Sequence, residues 1–412
     1  MRLKAALEYD KPFDGEGKVF RVSGQYSIVS SISNATFKSD GMTKFLLTGE
    51  KVVIENCVFD VDGQSVDRSL IDCLASEVVL RNCTIKNIRS NNGNGAYGVY
   101  VDIVNCSSEI VSCNFINISD AREETDPVGE IKGMCGGVYY TCAKSVLTAT
   151  PQKQIADNLY LEDIYTSLPN GDLNEKSFDA DGIRIFVNDA KTKKEYLYAQ
   201  CFVLNSITGR DIQKRLIKIS GASSCEIKNV RYKTNRKIGR KYPAHLIAVY
   251  DSYNIHISDV EYKGGCNDIA FCGSNSANVT IDGLSVKSNG RVFRKSTSSL
   301  FRINKCKNLK INRLNFSGAF YRLGQLSSSE DVSIEMYGRN VTCVVPFEIK
   351  NTKGIQISGE IKGVRNNTPA LFKMEKVEGV TVEGNITEVE PQIFKYESLA
   401  VLRGKVRSRY VS

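Results

Sequence analysis

Two aspartates, two residues apart in Asp179-Ala180-Asp181-Gly182-Ile183-Arg184, have the type and spacing for bond-breaking chemistry. A glycosidic bond is cleaved by two carboxyl groups, one giving a proton and the other acting as base or nucleophile. In an extended segment, residues two apart share one side, with Cα atoms about 7 Å apart. Asp181 and Asp179 are therefore the candidate catalytic pair, with His245, one of two histidines, as a candidate base or sugar-orienting group. A neighbouring cation together with burial can separate the pKa values of two such acids. The plainer alternative is that Asp181 pairs with Arg215, as charges stacked on adjacent strands do. Arg184, Arg215 and Lys218 are candidates to hold an acidic substrate. Tyr100 and Tyr139 are candidate sugar platforms in a chain with no tryptophan, and Asn267 and Asp268 are further candidate contacts. A calcium site needs several convergent carboxylates. Arg215 among the acids argues against one, so neither a metal nor another cofactor is expected.

These residues belong to a repeat. One apolar pattern recurs as Val53-Ile54-Glu55-Asn56-Cys57-Val58-Phe59 and as Val79-Leu80-Arg81-Asn82-Cys83-Thr84-Ile85. Its later central residues are Ile227, Ile257, Ile281, Ile311, Ile334, Ile357 and Val382. The spacing is about 20 to 30 residues, the period of a solenoid, and alternation within each copy makes the repeats strands. A second strand lies between copies, as in Gly98-Val99-Tyr100-Val101, Gly137-Val138-Tyr139-Tyr140, Gly182-Ile183-Arg184-Ile185 and Leu216-Ile217-Lys218-Ile219. Two strand families in rotation predict an all-β, right-handed, single-stranded parallel β-helix of about 12 to 14 coils. Stacking would bring Asp181, Arg215, His245 and Asn267 into one column, and Tyr100, Tyr139, Arg184 and Lys218 into another. Residues 1–50 are expected to form a cap and first coils. Residues 51–412 are expected to form the β-helix, with long inserts near 119–134 and 164–178, where loops often carry function.

Composition excludes other classes. The chain has 412 residues, 42% of them hydrophobic, which argues against disorder. Its net charge of +9 is spread along the sequence with no basic tail, so nucleic-acid binding is not expected. No stretch approaches the roughly 20 apolar residues of a membrane helix. The segment Met1 to Glu8 lacks a signal-peptide core. Asn-x-Ser/Thr triplets such as Asn34-Ala35-Thr36 are accordingly not expected to carry glycans. The 13 cysteines include no Cys-x-x-Cys pair, and Cys57, Cys83 and Cys113 read as small buried hydrophobes.

At Asp179-Ala180-Asp181-Gly182-Ile183-Arg184 the sequence resembles the pectate-lyase-like β-helix superfamily. Polygalacturonase-type members carry Asn-x-Asp-Gly with a catalytic Asp, and Asp181 stands at that place with Asp179 where they have Asn. Their following Asp-Asp, Gly-His-Gly and Arg-Ile-Lys motifs are absent here. Lys214-Arg215-Leu216-Ile217-Lys218 and the opening Lys11-Pro12-Phe13-Asp14-Gly15 resemble bacteriophage tailspike β-helices more closely. The resemblance implies a depolymerase hydrolysing a bacterial surface polysaccharide such as capsule, exopolysaccharide or O-antigen. It also implies a homotrimer or attachment to other virion proteins, synthesis in the bacterial cytoplasm and a place on the phage tail, with no nucleic-acid or membrane partner. The alternatives are a non-catalytic receptor-binding or structural β-helix of a virion, and a polysaccharide lyase with His245 or a tyrosine as base.

Overall fold

A computed structural model describes residues 3–63, 66–90, 95–121, 133–141, 152–167, 178–187, 202–234, 245–264, 269–288, 299–366, 372–390, 394–395 and 400–403. Most of the two expected inserts, and both Asn267 and Asp268, lie outside these residues. The chain is a parallel β-solenoid with almost no helix, divided into two compact units, Met1–Cys225 and Glu226–Ser412.

In the first unit every rung pairs in parallel with the rung one coil later. One face steps through Tyr26, Phe45, Ile71, Val99, Val138, Ile183 and Ile217. A second steps through Ile32, Ile54, Leu80, Ile110, Ala156 and Leu204. A third steps through Phe37, Phe59, Ile85, Phe115 and Leu161. These stacks form a continuous core; Phe37, for example, lies 5.2 Å from Phe59, centroid to centroid. Such ring pairs add about 0.5–1.5 kcal/mol beyond their burial.

The repeat pattern predicts two strand families; the structure has three faces. The expected single strand Val53 to Phe59 is broken at Asn56, whose φ is 54°. Asn34, Asn82, Ser112, Asn158 and Ser206 turn the same corner in the other coils, at φ between 52° and 55°. Asn tolerates this left-handed conformation because its short polar side chain bonds locally. Here those amides also bond between coils: Asn56 donates to Asn34 and Asn82 to Asn56, each at 3.3 Å. Cys57, Cys83 and Cys113 follow the corner and are fully buried, as expected. Each thiol reaches a carbonyl of the preceding coil, on Ile32, Ile54 and Leu80.

The second unit repeats the plan. Ile257, Ile281, Ile311 and Ile334 pair in series, as do Ile357 and Val382. Another face runs Ile247, Phe271, Phe301, Gly324, Phe347 and Phe372. His245 pairs with Ile269 and Ala248 with Cys272, which corrects the expected placing of Asn267 beside His245. The error is a slip of two residues. A shift of two keeps every apolar side chain on its own side, so alternation cannot detect it. Among the described residues, no helix is long and apolar enough to cross a membrane.

Candidate functional site

The members of the expected columns that belong to the first unit do align: Asp181 with Arg215, and Tyr100 with Tyr139, Arg184 and Lys218. Strands Ala96–Asp102, Gly133–Thr141, Phe178–Phe186 and Arg215–Ser220 are consecutive rungs of one face. Register aligns Tyr97, Gly136, Asp181 and Arg215 in one row, and Tyr100, Tyr139, Arg184 and Lys218 in the next. Gly182 lets the last two strands approach. A Cβ there would stand 2.7 Å from the carbonyl oxygen of Leu216.

Asp181 is 0% exposed, and the Nε of Arg215 donates to its Oδ1 at 2.7 Å. The Oδ2 of Asp181 has no hydrogen-bond partner among the described residues. The other end of the Arg215 guanidinium donates to Asp179, so one arginine ties the two acids together. Asp179 also accepts from Arg184 at 3.0 Å, from Lys214 at 3.1 Å and from Lys218 at 2.8 Å. Burial alone would raise its pKa. Arg215, Lys218, Arg184 and Lys214 overcome that and hold the carboxyl far below the usual range. Asp179 is thus a fixed negative charge, and Asp181 lies beneath Arg215 out of reach of a polymer.

Lys218 carries the opposite perturbation. Burial, then repulsion by Arg215, pushes its ammonium down to about 8, and the same two causes lower Lys214. Four cations surround two carboxylates, leaving an excess of two positive charges. Side-chain exposure is 17% for Asp179, 15% for Lys214 and 11% for Lys218, so these three form the accessible edge.

The tyrosines lie below that edge. Tyr97 and Tyr139 stack at 4.7 Å, and Arg184 lies over the Tyr139 ring at 4.9 Å while donating to the Tyr97 hydroxyl at 3.2 Å. Tyr100 holds the guanidinium of Arg68 at 4.1 Å. Tyr100 and Tyr139 are buried, so their rings position arginines in this arrangement. Burial pushes the Tyr97 phenol far above its ordinary value, which unsuits it as a base.

His245 belongs to the second unit, where it is half-buried with the Tyr250 hydroxyl 3.5 Å from its Nδ1. Lys214 joins the site without having been expected there. It precedes strand Arg215–Ser220, where alternation gives no direction for its side chain; its place beside Arg215 was the available signal. Among the described residues no three His, Cys, Asp or Glu converge as metal ligands.

No family model and no curated protein matches the chain. Among solved structures it is similar to PfbA, a surface adhesin of Streptococcus pneumoniae, at 12% identity and TM-score 0.47, over 84% of each chain. It is similar to a PL6 alginate lyase in complex with a trisaccharide at 12% identity and TM-score 0.41, over 97% of this chain and 86% of that one. It is also similar to full-length tailspike protein 2 of the Escherichia coli O157:H7 bacteriophage CAB120, at 14% identity and TM-score 0.29, over 83% of this chain and 39% of that one. The parallel β-helix itself rests on the rung pairing within each unit.

Proposed function

We propose that the chain is a β-helix that binds an acidic polysaccharide at the Asp179 cluster and acts on it there. The observation that carries this reading is the convergence of Arg184, Lys214, Arg215 and Lys218 on the single carboxylate of Asp179. Partly desolvated cations in excess attract an anion, and a carboxylate-bearing sugar supplies one at each repeat. The bacterial-surface source of the glycan and a place on a virion tail come from the tailspike resemblance of the sequence and belong to the same proposal.

Hydrolysis by Asp179 and Asp181 needs one of them to give up a proton. Asp179 is held charged by its four partners, and Asp181 is covered by Arg215. The lowered amine of Lys218 favours a second chemistry, β-elimination. In that reaction neutral Lys218 takes the proton from the carbon next to the uronate carboxylate. The electron pair forms a carbon–carbon double bond as the glycosidic oxygen departs as a hydroxyl, taking up the proton that the Lys218 ammonium returns directly or through water. Lys214, on the accessible edge, would neutralise the carboxylate and so acidify that carbon–hydrogen bond.

The test is a panel of acidic and neutral bacterial surface glycans, offered to wild type, Lys218→Gln and Asp181→Asn. Acidic glycans alone are expected to bind, with Lys218→Gln weakened. A product absorbing in the ultraviolet, lost in Lys218→Gln, would establish elimination. New reducing ends without that absorbance, lost in Asp181→Asn, would establish hydrolysis. Equal binding of neutral and acidic glycans, or of none, would overturn the reading.

A further inference from the structure

A cleft lies within the Glu226–Ser412 unit, on strands that carry none of the Asp179 cluster residues. Its volume is about 530 Å³. It crosses strands Tyr253–Gly264, Ala277–Ser288 and Lys307–Ser327 and the start of Glu330–Asn366. Register sets Lys263, Lys287, Ser317 and Arg339 in one row along it, with Asn315 beside Tyr337 in the adjacent row. The pairing of the last two strands shifts register between Ile311 and Leu314, and again between Ser317 and Gly318. Such irregularities bend a strand and re-aim its side chains, and they recur beside functional sites. Beneath the cleft the Phe316 ring lies over Gly338, where a Cβ would come within 2.5 Å of it.

The charge of the cleft is unbalanced. Glu261 accepts from Lys263 at 2.5 Å, which satisfies that pair. Lys287 and Arg339 are exposed and have no ion-pair partner among the described residues. Rungs are spaced about 4.8 Å apart, so Lys263, Lys287, Ser317 and Arg339 follow one another at that step along the cleft. The matching ligand is an extended chain with regular negative charges along one edge and uncharged oxygens between them. Asn315 and Ser317 can meet those oxygens, and Tyr337, 37% exposed, offers one ring to a sugar face. A single-stranded nucleic acid would require a series of ring platforms.

We propose that this cleft is a second binding site for an acidic polysaccharide, laid along the rungs and independent of the Asp179 cluster. The 412-residue chain is titrated with hexagalacturonate, with maltohexaose as the uncharged control and hexathymidylate as the nucleic-acid control. The double charge reversal Lys287→Glu, Arg339→Glu is expected to weaken one class of hexagalacturonate site by about tenfold, with maltohexaose unbound. Lys310→Glu, Lys373→Glu makes the same charge change at exposed positions outside the cleft and is expected to leave that class intact. Tyr337→Ala is expected to weaken the same class without changing its salt dependence. Should the Asp179 cluster bind nothing, wild type would show a single class of site, weakened by the same factor in the cleft reversal and untouched by Lys218→Gln. Equal hexagalacturonate binding by wild type and the cleft reversal would overturn the proposal. So would cleft-dependent binding of hexathymidylate in place of the sugar.

Discussion

Arg215 decides what each acid of the cluster can do. Its Nε satisfies Asp181, its other end reaches Asp179, and its charge helps to drive Lys218 toward neutrality. Lys218 therefore ties stability to pH with a definite sign. Its folded pKa of about 8 lies below the unfolded value of about 10.4. Between those values this group binds more protons in the unfolded chain, so its own contribution to stability rises as pH increases through that window. Below pH 8 the charged amine is held at a cost. In urea unfolding from pH 7.5 to 10.5, the stability of wild type relative to Lys218→Met, which cannot titrate, is expected to rise with pH, whatever the buried thiols contribute to both proteins. Equal slopes would mean that Lys218 is not the group responsible. The pairing of Asp181 with Arg215 could be read from the sequence because both occupy the same point of an alternating repeat. The wider group on Asp179 could not, because Lys214 approaches from outside the strand and residue period says nothing about side-chain reach.

At the scale of the element, Gly182 sets the separation of the two rungs that carry the cluster. A Cβ there would press on the backbone oxygen of Leu216, which cannot rotate away as a side chain can. Gly182→Ala is expected to destabilise the chain by about 1–3 kcal/mol, the usual range for overpacking. It should also weaken glycan binding, since Asp179 and Arg215 lie on the two strands being pushed apart. Gly63→Ala is a comparison at a turn where nothing lies within 4 Å, though its φ of 74° carries its own strain. Unchanged unfolding and binding in Gly182→Ala would show that the rungs yield. Alternation made the strands legible from sequence, and the stacks at Ile257, Ile281 and Ile311 follow it. It hid the corners, because an Asn such as Asn56 in a left-handed turn occupies a polar place in an otherwise regular pattern. It also hid the two-residue slip after His245.

For the whole chain, the period and the missing helical stripes fixed the solenoid class from sequence alone, whereas ligand chemistry needed the side-chain geometry. The ten cysteines among the described residues are all buried, and none of them is in a disulfide. Burial pushes Cys106 and Cys343 up to about 12, and alkylation requires the thiolate. Iodoacetamide at pH 8 is expected to leave these two unmodified in the native chain and to modify both in urea, as read by peptide mass mapping. Native labelling at either would show that its coil opens. The parallel rungs have a further consequence, in time. Each strand must wait for a full coil of chain to return before it finds its partner, so the first closure carries the entropy of a long loop with little to offset it. A rung inside a completed ladder is bonded on both sides and cannot leave without breaking two sets of contacts. The fold should therefore be slow to form and slow to lose, and its endurance is better described by a half-life than by an equilibrium constant.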